Sequence, residues 1–254
     1  QAALVAARID VESLAVFPSD ARTVDAARRV YGGVALGGGT PHFFVQLSRL
    51  DALGPVDFAT FTTSSVVHGA DDDEVMLGLA SLPGMVATWR ARHPALPLRV
   101  GPSAIAARAS PLGAQPPSDG TRRLALAATD PRTRAQFGAA WALGHVAALA
   151  QAGVQAMSLL SLTGAAGLGE VRNGVFSPFP AFGVLSSVTA PAERLHTEVS
   201  DAQSVAALAL GRGGRTQLLL ANLRAEPTDV HVAGFGVERR LRLSAYDTVA
   251  LDRD

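Results

Sequence analysis

His42 closes the segment Gly37-Gly38-Gly39-Thr40-Pro41-His42, and His68 follows Thr62-Thr63-Ser64-Ser65. Both segments come directly after apolar runs. A histidine so placed can act as a general base or a hydrogen-bond donor, because its ring titrates near neutral pH. Each could equally be a capping or surface residue. Backbone N–H groups at Gly38, Gly39 and Thr40 could approach a bound oxygen, as an oxyanion or hydroxyl site requires. The same glycines could simply serve a turn that needs their backbone freedom. Thr62 and Thr63 add hydroxyls, and Ser103 opens a long polar loop. Glu170 is the acid nearest the end of a later strand, as a proton donor, a ligand contact or a plain surface residue.

Absent residue types narrow the chemistry. The chain of 254 residues has no Cys, and all 22 of its basic residues are Arg. There is thus no thiol nucleophile or thiolate metal site, no Schiff-base lysine and no P-loop lysine. Water, or a Ser or Thr hydroxyl, is left as the nucleophile, and no cofactor is expected. Net charge is zero, without the basic face that nucleic acid or an anionic membrane would need. No apolar run reaches the ~18 residues of a membrane span. Residues 1–7 carry no basic leader or cleavage signature. These features, with the lack of Cys, lead us to expect a cytoplasmic protein.

The acidic run Asp71-Asp72-Asp73-Glu74 invites a metal reading, but acids favour the first turn of a helix, where free N–H groups and the dipole stabilise them. His42, His68 and Asp71 lack a short metal-ligand spacing, and no metal site is expected. Asp20 is likewise a helix N-cap. Phe137, Trp141 and His145 share one helix face, which core packing explains.

Five apolar runs would carry these loops: strands over 11–17, 34–38, 57–62, 98–101 and 154–160. Helices are expected over 20–31, 71–93 and 130–152, with 42–49 a short helix or an extended loop. Strands alternating with helices predict parallel βαβ units, whose chemistry lies beyond the C-terminal strand ends. Residues 103–129 form a loop long enough to be functional or mobile. From about 182 the pattern changes to short strands over 204–210, 217–223, 228–232 and 241–251, with Gly211-Arg212-Gly213-Gly214 as a hairpin turn.

In order and spacing, several of these segments resemble the D-apionate lactonase family. They are Gly37-Gly38-Gly39-Thr40-Pro41; Phe58 to Thr63 with His68 and Asp71-Asp72; Val100-Gly101-Pro102; Asp130-Pro131-Arg132; Phe137-Gly138-Ala139-Ala140-Trp141; Ala152-Gly153-Val154; and Thr163-Gly164. The resemblance runs across residues 11–190, and the C-terminal β region fits the family's trailing domain. It implies an α/β fold: a partial (β/α)8 TIM-type barrel of about five βα units over 1–185, then a small antiparallel β domain over 186–254. Five units do not close an eight-stranded barrel. The expectation is that upstream strands lie outside this sequence or come from another copy; residues 2–8 resemble a helix end. An open five-stranded α/β sheet is the alternative.

The implied activity is hydrolysis of a sugar-derived lactone in carbohydrate catabolism, with a small carbohydrate or sugar lactone as partner and self-association to be tested. Such barrels hold carboxylates at strand ends. Here Gln46 and Ser48 stand where the resemblance implies Glu and Asn, and Ser161 where it implies Glu. The alternatives are therefore a catalytically degenerate carbohydrate-binding relative, a glycoside-hydrolase-like enzyme, or an α/β domain that binds no sugar.

Overall fold

The computed structural model describes residues 10–111, 113–190 and 192–253; the helix end read over 2–8 lies outside them. Five strands form one parallel sheet in sequence order: β1 (Ser13–Ala15), β2 (Ala35–Gly39), β3 (Phe58–Phe61), β4 (Leu98–Ser103) and β5 (Ala156–Leu159). Between them lie α1 (Ala21–Val30), α2 (Phe44–Ser48), α3 (Asp72–Leu77), α4 (Leu82–Arg92) and α5 (Gln136–Gln151). Asp20 caps α1 as expected, its carboxylate accepting the Thr23 N–H at 2.8 Å.

The sheet is curled into half of a TIM-type barrel. In a flat sheet β1 and β4 would lie about 14 Å apart, three strand spacings. Yet Arg99 of β4 donates to Ser13 Oγ of β1 at 2.7 Å. Its guanidinium lies over the Phe58 ring at 4.1 Å, and its Nε donates to Gln155 Oε1 at 2.7 Å. Arg99 sits near the start of its strand, so this strut crosses the end of the half-barrel away from the loops that follow the strands' C-terminal ends. On the convex side, Ala59, Phe61, Leu98 and Val100 pack in one core with Val75, Val86, Trp89 and Trp141.

The expected helix over 71–93 is broken by a 3-10 turn, Gly78–Ser81, and the one over 130–152 by a 3-10 turn, Pro131–Arg134, followed by an extended Ala135. Asp130 N-caps that turn, so the Asp-Pro signal marks a real start, one turn before the long helix. The run expected as one strand over 241–251 is the end of β12 (Val237–Leu243) and β13 (Thr248–Arg253), parted by a turn in which Tyr246 has φ +55°. Four elements were not anticipated: β6 (Gly169–Arg172) and β7 (Val175–Pro178), which form a hairpin, α6 (Pro180–Thr189), and β8 (Glu193–Leu195).

β9 (Val205–Arg212) and β10 (Arg215–Asn222) join in a hairpin whose two loop residues, Gly213 and Gly214, both have positive φ, as a type I′ turn requires. The four-stranded sheet runs β13-β10-β9-β8, and β11 (Thr228–Gly234) pairs with β12. Both faces of β9 and β10 are covered, which is why they read as unbroken apolar runs. Leu208, Leu210, Leu219 and Ala221 join the barrel core, while Ala207, Ala209, Leu218 and Leu220 pack with Val232 and Leu243. The barrel core reaches the β sheet through α5, which packs on β5, β9, β10 and β13 and is buried along nearly its whole length.

Candidate active site

The loops beyond β1, β2 and β3 are tied together by hydroxyls. Ser19, following β1, accepts the Gly39 N–H at 2.8 Å and returns its own proton to the Gly39 carbonyl at 3.3 Å. Thr40 N donates to the Thr60 carbonyl at 3.1 Å. The N–H groups of Gly39 and Thr40 are thus already engaged within the protein. The glycines have a steric cause instead. A Cβ on Gly37 would overlap the Phe58 ring, one on Gly38 would lie 2.6 Å from Ser19 Cβ, and one on Gly39, at φ +127°, would overlap the Thr60 carbonyl.

His42 is carried on a doubly anchored turn. Its N–H donates to Thr40 Oγ1 at 3.1 Å, and its carbonyl accepts from Thr62 N at 2.8 Å and from Thr62 Oγ1 at 3.1 Å. The Thr62 hydroxyl also reaches the Pro41 carbonyl at 3.3 Å. The half-buried His42 has a buried Nδ1 with no partner, and Gln46, four residues on in α2, has a buried Oε1 with none. Ser48 instead turns back on its own helix, donating to the Val45 carbonyl at 2.9 Å.

The other candidates spread along the strand ends. Thr63 Oγ1 lies 3.0 Å from Nε2 of the buried His145, so it faces α5. Burial pushes the His145 ring pKa down to about 3, leaving it neutral. Ser65 takes the Trp141 indole N–H at 2.8 Å. Ser103, at the end of β4, is fully buried, and its Oγ has no partner. Ser161 follows β5 and donates to the Thr163 carbonyl at 2.9 Å. Glu170 lies on β6, paired with Arg172 at 2.7 Å. His68 is exposed in the loop between β3 and α3.

The structure therefore brings Thr40, His42 and Thr62 together at the ends of β2 and β3, with Gln46 one turn on in α2. No hydrogen bond among the described residues joins His68 to that group. The Ser19 clamp was missed by sequence reasoning, although its place just after the first strand was a usable signal. Among the described residues, no three His, Asp or Glu side chains are grouped as metal ligands would be, and no helix is long and apolar enough to cross a membrane.

Comparison with known proteins agrees with this architecture. Residues 11–193 match the family model described as "D-apionate lactonase, TIM barrel domain", and residues 202–251 match "D-apionate lactonase, C-terminal immunoglobulin-like domain". A protein of Brucella anthropi named D-apionate lactonase is 37% identical over 145 residues, which cover 56% of this chain and 24% of that protein. The chain thus aligns with about a quarter of the length of that curated relative. SrfJ from Salmonella typhimurium superposes with a TM-score of 0.60 at 11% identity, over 99% of this chain and 60% of that one. A GH30 endoxylanase from Clostridium papyrosolvens C71 gives a TM-score of 0.56 at 8% identity, over 99% and 67%. These two likenesses describe the fold alone. By the match across both its parts, the chain belongs to the D-apionate lactonase family.

Proposed function

We propose that the chain hydrolyses a sugar-derived lactone at the mouth of its half-barrel, in cytoplasmic carbohydrate catabolism. The observation that carries this reading, within a family of that name, is the unpartnered His42 ring on its anchored turn at the end of β2. Water attacks the lactone carbonyl while His42 takes its proton. The ring C–O bond then breaks, and the proton passes to the departing alkoxide, giving a hydroxy acid. His68 is the alternative base. Gln46 Oε1, unpartnered, would accept from a sugar hydroxyl, while Ser103, fully buried at the end of β4, would support the strand end from beneath. Gly38 and Gly39 keep the floor free of side chains, and Thr40 and Thr62 hold the turn. Thr63, Ser161 and Glu170 are outer contacts, because each is already engaged with a protein group. In this division, residues 1–185 carry the chemistry and 186–254 cover α5. Self-association would bear on whether the barrel closes.

His42→Ala should lower turnover at least about tenfold, the usual scale for losing a general base, with little change in melting temperature. If His68→Ala does so instead, the base is His68. If neither variant loses activity, the site is misplaced.

A second reading is a carbohydrate-binding relative without catalysis. Gln46 and Ser161, standing where the family resemblance implies carboxylates, favour it, since an amide cannot transfer a proton. It predicts saturable binding of sugar lactones with no turnover, and a gain of turnover in Gln46→Glu.

A further inference from the structure

A cavity lies apart from the group at the ends of β2 and β3. It is a cleft of about 660 Å³ lined by Asp71 and Asp72, by Arg122 and Arg123 of the long loop after β4, and by Arg132 and Tyr246. That volume is in the range of small-molecule sites. Loops following β3 and β4 form one wall, and the turn between β12 and β13 forms the other.

The lining is built rather than incidental. Asp130, buried beneath the cleft, grips Arg132 through both oxygens, at 2.9 Å to Nε and 2.7 Å to Nη2. Asp72 accepts from both Arg132 and Arg123, at 2.9 and 2.8 Å. Burial disfavours charge on Asp72, but the Arg123 and Arg132 hydrogen bonds outweigh it and hold its carboxyl below the usual range. Arg122 is exposed and makes no ion pair with another described residue, its charge reaching Asp119 only through space. Asp71 is engaged in the capping box of α3.

Tyr246 gives the clearest sign of a ligand. Its Oη is buried and has no partner, which leaves a desolvated hydroxyl uncompensated. Its ring packs on Phe137 at 4.8 Å. Its backbone sits at φ +55°, uncommon for a bulky side chain and of the kind that accumulates where structure serves a site. The turn is pinned there: Tyr246 N donates to the Arg224 carbonyl at 3.2 Å, and the buried Asn222 side chain donates to the Ser244 carbonyl at 2.8 Å.

We propose that this cleft binds a polyhydroxylated monocarboxylate, a sugar acid, with its carboxylate on Arg122 and Arg123 and its hydroxyls on Tyr246 Oη, Asp71 and Asp72. A compact dianion would be repelled by the two aspartates, and a neutral sugar would leave Arg122 unused. An open-chain hydroxy acid satisfies donors and acceptors together. The proposal rests on the reading of the mouth as a lactonase site, because a hydroxy acid is what lactone opening releases. The cleft is then a product site on the same face.

Calorimetric titration of the whole chain with D-gluconate tests it, with D-glucose as the neutral control. The expected result is saturable binding of gluconate and not glucose, weakened about tenfold or more by Arg122→Ala and by Tyr246→Phe, and unchanged in His42→Ala. Tyr246→Phe keeps the ring on Phe137, and an unchanged melting temperature would show that it folds. Absence of saturable gluconate binding would overturn the proposal. So would binding that His42→Ala abolishes while Arg122→Ala and Tyr246→Phe leave it intact. The two readings fail separately: gluconate binding without lactone turnover sinks the mouth alone, and turnover without gluconate binding sinks the cleft alone.

Discussion

At the scale of single residues, two buried polar groups set the conditions under which this chain stays folded. His145 is neutral in the folded protein, its pKa pushed from 6.5 to about 3 by burial, whereas the unfolded chain protonates it near 6.5. Below that pH the unfolded state binds more protons. Stability is therefore whole above pH 6.5 and falls as pH drops, by about 1.4 kcal/mol per unit. His145→Gln, which does not titrate and can still bond Thr63, should flatten the change in urea midpoint between pH 7 and 5 relative to wild type. Equal slopes in the two proteins would contradict this. Arg132 and Asp130 form the other group, with side chains 7% and 0% exposed. Asp130→Ala leaves the buried guanidinium with Asp72 as its remaining carboxylate and should cost about 3 kcal/mol, the lower end of the range for breaking a buried pair, read in the same denaturation experiment. Sequence reading placed His145 in the core or at its boundary and Asp130 at a helix start. It did not foresee that Thr63 partners His145 or that Asp72 partners Arg132, across 82 and 60 residues of chain.

At the scale of elements, β2 decides where the mouth lies. Its glycines were legible as a special segment after a strand, but the reason for them was not. The sequence suggested free N–H groups. The fold uses the missing side chains, because Phe58, Ser19 and the Thr60 backbone occupy the space. Gly39→Ala should be destabilising by about 2 kcal/mol or more, since a positive φ and a backbone clash act together. A melting temperature within a degree of wild type would contradict it. The parallel strands, Asp20 cap and Gly213-Gly214 hairpin were readable because local chemistry fixes them. The β6–β7 hairpin was readable too, through Asn173-Gly174, both at positive φ, a turn signal that was passed over. The break at Gly78–Ser81 had a signal as well: Pro83 sits in the first turn of α4, where proline favours a helix start, and Gly78 opens the 3-10 turn before it.

For the whole molecule, one core joins the half-barrel to the C-terminal sheet through α5. Both tryptophans, Trp89 and Trp141, lie on the barrel side of that core. Leu219→Ala, on β10, should therefore lower the unfolding midpoint seen by tryptophan fluorescence, with a cost of about 2–5 kcal/mol for a buried leucine. An unmoved fluorescence midpoint would mean that the two units unfold independently. This coupling could not be read from composition, which showed only where the strand pattern changes. The proposed activity of the whole chain is lactone opening at the ends of β2 and β3. The most direct measurement is base uptake in a pH-stat, with a panel of sugar lactones and the folded protein. Each ring opened releases one proton at neutral pH. Uptake above the spontaneous rate is expected for at least one lactone, reduced about tenfold or more in His42→Ala or His68→Ala. Uptake no faster than the spontaneous rate across the whole panel would contradict it.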